Sequence, residues 1–120
     1  MIAQSAALSG IRIIDMTTVV AGPYATQTLA DYGAEVIKIE APGGDTTRHT
    51  GPMVERGMAS LFLGSNRNKK SVLLDLKDPD AVTALHALCD GADVFIHNVR
   101  PQKLAGLSIR PRPCARATRV

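Results

Sequence analysis

Short apolar runs rich in β-branched residues alternate along this chain with longer stretches whose apolar positions recur every three or four residues. The run "IRIIDMT", Ile11 to Thr17, lies between Ser9-Gly10 and "AGP", and predicts a strand. Pro23 then suits the first turn of a helix, where its missing N–H costs nothing, and Ala25, Leu29 and Tyr32 follow at roughly helical spacing as its apolar positions. Gly33 is placed to end that helix, and "AEVIKIE", Ala34 to Glu40, reads as the next strand. Connections this short make a β-α-β unit, whose usual right-handed crossover leaves two parallel strands beneath one helix.

The scheme repeats after Lys70. "SVLLDL", Ser71 to Leu76, predicts a strand; Asp78 follows as N-cap, Pro79 as first helical residue and Gly91 as the stop. Val82, Leu85, Leu88 and Cys89 form the buried stripe of that helix, and "ADVFIHN", Ala92 to Asn98, is the fourth strand. Runs such as "VLLDL" and "DVFI" suit strands covered on both faces, so the predicted class is α/β: a partial, truncated Rossmann-like parallel sheet of two β-α-β units joined by a long loop. That loop, residues 41–70, is longer than ordinary connections and contains "MASLFLGSN", which has the pattern of a short helix. Gly43, Gly44, Asp45 and Arg48, followed by Asn66, Arg67, Asn68, Lys69 and Lys70, would suit a phosphate-bearing ligand. On composition alone the same residues read as solvated surface.

At 120 residues the chain has the size of one domain or part of one. Its net charge of +3 would raise nucleic acid as a partner, but the distribution removes that reading. All 11 acidic residues and 10 of the 14 Lys and Arg precede position 110, so residues 1–109 are slightly acidic. Arg110, Arg112, Arg116 and Arg119 supply the excess, and with two Phe, two Tyr and no Trp no stacking surface accompanies them. No apolar stretch approaches the ~20 residues of a membrane span, and "MIAQSAALSG" lacks the basic and apolar regions of a signal peptide; a soluble, cytoplasmic protein without membrane or nucleic-acid partners is expected. Cys89 and Cys114 have no metal-ligand spacing, and His49, His86 and His97 are isolated and read as structural, so no metal site is predicted. Glu40 ends a strand where an acid could bind ribose. However, "TTVVAGPYAT" lacks the spaced glycines of a dinucleotide fingerprint, which argues against NAD or FAD.

The string "LSGIRIIDMTTVVAGPYATQTLADYGAEVIKIEAPGGDTTR" resembles the opening of class III CoA-transferases, the family of formyl-CoA transferase, carnitine CoA-transferase and α-methylacyl-CoA racemase. "NRNKKSVLLDLKDPDA" and "ADVFIHNVRPQKLAGL" are similar to its next two blocks, in order, and the likeness covers residues 8–109. It implies an N-terminal domain that binds coenzyme A, with acyl-CoA as substrate, a carboxylic acid as acceptor, no covalently bound cofactor and, at full length, an interlocked homodimer. It places Val20 and Ala21, then Leu74, Asp75, Leu76 and Lys77, then Asn98, Val99 and Arg100 against CoA. His97, Val99 and Gln102 stand where the family usually carries an acid, a Phe and a Gly. Transfer in this family resembles covalent carboxylate catalysis: an aspartate attacks the thioester to give a mixed anhydride and CoA thiolate, which then forms an aspartyl-CoA thioester. The racemases use a His and Asp pair instead. Both sets lie beyond the matched part, so no residue here is assigned as catalytic.

The implied function is an N-terminal fragment of an acyl-CoA:carboxylate CoA-transferase, carrying part of the CoA site and inactive alone. The alternatives are a stand-alone CoA or nucleotide-binding module and a fragment of a racemase of the same family. Residues 110–120 depart from the family, whose next segment reads like "ARNPRLVY". The string G-CGC-GCA-ACC-CGC-GTC encodes Arg116 to Val120 as grouped, but Ala-Arg-Asn-Pro-Arg when read from the first G. The tail is therefore expected to be a frameshifted reading of that segment, and the domain to occupy residues 1–109.

Overall fold

The computed structural model describes residues 6–106; the 110–120 tail and the expected boundary at 109 lie outside the described residues. Each apolar run forms a strand: β1 (Arg12–Met16), β2 (Glu35–Glu40), β3 (Lys69–Leu73) and β4 (Val94–His97). Helices α1 (Ala21–Asp31), α2 (Ser60–Asn66), α3 (Pro79–Asp90) and α4 (Pro101–Gly106) connect or follow them, with a 3-10 turn at Thr46–His49. The sheet order is β3-β2-β1-β4, and all three pairings are parallel. This α/β arrangement is the order of the first four strands in doubly wound sheets, and its direction of travel reverses between β1 and β4.

Helix ends follow the sequence signals. Gly33 takes φ +100° after α1, a left-handed geometry open to glycine, and the Asp78 carboxylate caps α3 by accepting from the Asp80 amide at 2.9 Å. Pro79 opens α3 and Gly91 follows it. Leu85 is buried, while Leu88 and Cys89 pack beside the same core and Val82 is half-buried. The "SLFLGSN" segment forms α2 within the long connection.

Two elements differ from the sequence reading. Strand β3 begins at Lys69 rather than Ser71 and ends at Leu73, because its backbone pairs along β2 from Val36↔Lys69 to Glu40↔Leu73. In α1 the buried side is Pro23, Thr26, Gln27 and Ala30; Ala25 and Tyr32 are exposed and Leu29 is half-buried. The helix turns polar residues inward because they have partners there. Thr26 donates to the Asp15 carboxylate at 2.6 Å, and the Gln27 side-chain oxygen accepts the Arg67 amide at 3.0 Å.

The period-2 alternation of the strands divides the core into two faces. On one, Ile14, Met16, Ile37 and Ile39 pack with Leu85 and Leu104. On the other, Ile13 and Val36 pack with Ala30 and Ala34 near the start of the strands. Toward the strand ends this second face turns polar, presenting Asp15, Thr17, Lys38 and Glu40, all buried.

Candidate functional site

The polar half of the sheet holds a closed layer of charge. Asp15 accepts from the Thr17 amide (2.9 Å), the Thr17 hydroxyl (2.5 Å), the Thr26 hydroxyl (2.6 Å) and the Lys69 ammonium (3.0 Å). Lys38, with its side chain 1% exposed, donates to the Thr17 carbonyl at 2.9 Å and to Asp45 at 3.0 Å. Glu40 accepts two bonds from Arg48, at 2.7 and 2.8 Å, one from Ser71 at 2.7 Å and one from the Asp45 amide at 2.8 Å. Burial alone would raise the Glu40 pKa; the Arg48, Ser71 and Asp45 donors outweigh it and bring the group from 4.5 down to about 2. Asp45 is similarly lowered, because burial is outweighed by the Thr47 amide and hydroxyl and by Lys38. Burial pushes the Lys69 ammonium the other way, below its ordinary pKa, despite the opposing attraction of Asp15.

These pairs account for Arg48, Arg67, Lys69 and Lys70 of the long connection, while Arg56 is exposed and makes no ion pair among the described residues. Lys69 is buried against Asp15, Arg67 pairs with Asp31 and Lys70 with Glu35. The glycine-and-cation stretch is thus neither a free phosphate cradle nor merely solvated surface: Arg67, Lys69 and Lys70 are committed within the fold. Glu40 is committed to Arg48 and Ser71.

Above this layer runs the β1–α1 loop, residues 17–20, anchored from three directions. Asp15 and Lys38 hold Thr17 from below, and the Asn98 carboxamide, beyond β4, accepts the Thr18 amide at 3.1 Å and donates to the Thr18 carbonyl at 2.9 Å. Between these anchors and α1, Val19 is forced to φ +74°. A β-branched residue in the left-handed region costs on the order of 1–3 kcal/mol and persists only where its surroundings dictate it. Val19 and Val20 are 51% and 43% exposed, and no side chain caps the start of α1 beside them. At Gly22 an added Cβ would lie 2.5 Å from Thr17 Cβ, so helix and strand end approach there too closely for a side chain.

Because β1 lies inside the sheet, its loop is flanked by the ends of both β2 and β4. Toward β2, a cleft of about 210 Å³ lies between Thr18 and Val19 and the segment Ala41, Gly44 and Thr46, floored by the Lys38–Asp45 pair. Of residues 41–46, Gly43, Gly44 and Asp45 stand out in the sequence as suited to a phosphate-bearing ligand, whereas Ala41 and Thr46, which line the cleft, carry no sequence signal. Toward β4 stand Asn98, Val99 and Arg100. The nine residues implied by resemblance therefore fall into two groups. Val20, Ala21, Asn98, Val99 and Arg100 follow the ends of the adjacent strands β1 and β4, where the strand order reverses, whereas Leu74 to Lys77 follow β3 at the far edge of the sheet. Leu74 and Leu76 pack against the Leu85 core, and the Leu74 amide extends the ladder to the Glu40 carbonyl at 2.9 Å. Asp75 accepts the Lys77 amide at 3.1 Å. Lys77, Arg100 and Lys103 are exposed and make no ion pair among the described residues. Among the described residues no group of three or more His, Cys, Asp and Glu could hold a metal ion, and no helix is long and apolar enough to cross a membrane.

Residues 8–118 match the profile of CoA-transferase family III, and the chain belongs to that family. It is 48% identical over 103 residues to succinyl-CoA:glutarate CoA-transferase of Mus musculus, a match covering 85% of this chain and 24% of that protein. Rv3272 of Mycobacterium tuberculosis superposes with a TM-score of 0.81 at 42% identity, over 89% of this chain and 30% of the other. A CAIB/BAIF family protein of Brucella suis gives a TM-score of 0.83 at 34% identity, over 89% and 29%. The chain spans about a quarter of the length of the curated relatives it matches. A short-chain dehydrogenase/reductase family protein, at a TM-score of 0.50 and 22% identity, shares the fold alone.

Proposed function

We propose that this chain supplies the CoA-binding share of an acyl-CoA:carboxylate CoA-transferase, taking acyl-CoA and a carboxylic acid as substrates. The observation that carries the reading is the β1–α1 loop. In a member of a CoA-transferase family, it holds an exposed, left-handed Val19 and an uncapped helix start beside the strand-order reversal. Open α/β sheets take their ligands at that reversal. Val20 and Ala21 would face the ligand from one side and Arg100 from the other, with Val99, whose side chain packs on the Leu85 core, offering its backbone. Arg100 and Lys77, unpaired among the described residues, carry charge that CoA phosphates require, whereas Arg48, Arg67, Lys69 and Lys70 of the long connection are already neutralised.

On this reading the nucleophilic aspartate lies outside residues 6–106, as the family resemblance implies. Asp15 and Asp45 are buried in ion pairs, and the Asp75 carboxylate turns back on its own chain at Lys77. The buried pairs hold Asp15 and Asp45 away from any thioester at the crevice. The relatives' names favour transfer over racemisation. Calorimetric titration of CoA into the 120-residue chain tests the reading: saturable binding supports it, and a folded chain that takes up no CoA overturns it. Acyl transfer by the chain alone would overturn the placement of the nucleophile.

A further inference from the structure

We infer that Asn98 is a positioning residue of the crevice, shaping the β1–α1 loop through Thr18 rather than touching the ligand with its side chain. The inference rests on the proposed CoA-binding reading for its consequence, and on the geometry of the loop for its cause.

The backbone ladder between β1 and β4 ends at Met16↔His97. Immediately beyond it, the carboxamide of Asn98 makes the two bonds that a further backbone pair would have made, one to each polar backbone group of Thr18. Asn98 is itself rooted. Val99 packs against the Leu85 core, and the Arg100 carbonyl accepts the Lys103 and Leu104 amides at 2.9 and 3.1 Å to start α4. A rigid β4 end thus grips a loop eighty residues earlier in sequence.

The need for the grip is visible at Val19, whose branched Cβ disfavours φ +74° and would return the loop to an extended path once a neighbour were released. Thr17 is fixed by Asp15 and Lys38, so Thr18 is the remaining point of control, and Asn98 holds both its polar groups. Val19 also borders the cleft and precedes Val20, so its conformation sets the direction of the exposed helix start.

The test combines two readouts on the 120-residue chain: CoA titration, and the backbone and Cβ chemical shifts of Val19 without ligand. Asn98→Ala is expected to weaken CoA binding roughly tenfold, as befits two lost hydrogen bonds. It should also move the Val19 shifts from left-handed to extended values. Adding Val19→Gly should recover most of the affinity, since glycine adopts positive φ without penalty. Asn98→Asp, which keeps the acceptor for the Thr18 amide but loses the donor, should fall between wild type and alanine and serves if Asn98→Ala does not fold. Left-handed Val19 shifts retained in Asn98→Ala would overturn the inference, as would a loss of affinity that Val19→Gly leaves unrecovered, which is the mark of direct contact. If the wild-type chain binds no CoA, the functional reading fails on its own, and the Val19 shifts still decide whether Asn98 sets the loop.

Discussion

Replacing Lys69 with methionine removes one half of the buried pair with Asp15 while keeping most of the side-chain volume. The Lys69 ammonium lies 3.0 Å from the Asp15 carboxylate, its side chain 2% exposed, and it also donates to the Pro23 carbonyl at 2.8 Å and to Asn66 at 2.9 Å. Burial depresses its pKa even with Asp15 beside it, so desolvation of the ammonium outweighs what the carboxylate returns. The pair as a whole therefore contributes little net stability, but its halves depend on each other. Breaking such a pair costs about 3–5 kcal/mol, and Asp15 keeps three hydrogen-bond donors in Thr17 and Thr26, which places Lys69→Met near ~3 kcal/mol. At a urea slope of about 2 kcal/mol per molar, the midpoint followed by far-UV circular dichroism should fall by roughly 1.5 M. Asp15→Asn in the same chain removes the stranded charge while keeping an acceptor for Thr17, and the double variant should regain at least about 1 kcal/mol over Lys69→Met. A single variant within ~1 kcal/mol of wild type, or a double variant less stable than the single, would refute the reasoning.

Three further outcomes follow from the same geometry. The Glu40 pKa falls from 4.5 to about 2 on folding, so its stabilisation is fully present above pH 4.5 and is lost as pH drops toward 2. Up to about 3 kcal/mol should disappear over that window, and Glu40→Gln should flatten the acid limb of a urea-midpoint against pH curve. Gly22→Ala should cost about 1–3 kcal/mol, because the added methyl meets the Cβ, Cγ2 and Oγ1 of Thr17 at 2.5, 2.7 and 2.8 Å. Gly64→Ala, in α2 with nothing near its Cβ, should instead gain about 0.5–1 kcal/mol, and the contrast is read in thermal midpoints. Leu85→Ala should lose about 2–5 kcal/mol by denaturant unfolding, since that side chain is buried among Ile14, Ile37 and Leu104.

The order of elements was legible in the sequence because its signals are local. Asp78, Pro79 and Gly91 mark the ends of α3 by capping chemistry that needs no tertiary partner, and Gly33 ends α1 through its own φ. The alternation in "EVIKIE" likewise shows that Val36, Lys38 and Glu40 share one face and Ile37 and Ile39 the other. Periodicity cannot say what covers a face. The pattern places Lys38 and Glu40 on one face without saying that the connection 41–66 folds over them and supplies Asp45 and Arg48. For the same reason α1 buries Thr26 and Gln27, which find hydrogen-bond partners in Asp15 and the Arg67 amide, and leaves Ala25 outside. Lys69 and Lys70 read as loop cations, although strand pairing begins at the first of them. The strained Val19 and its clamp at Asn98 were decided only by tertiary structure. The hydrogen bonds that hold the loop join residues eighty positions apart, and only the parallel pairing of β1 with β4 brings those residues together.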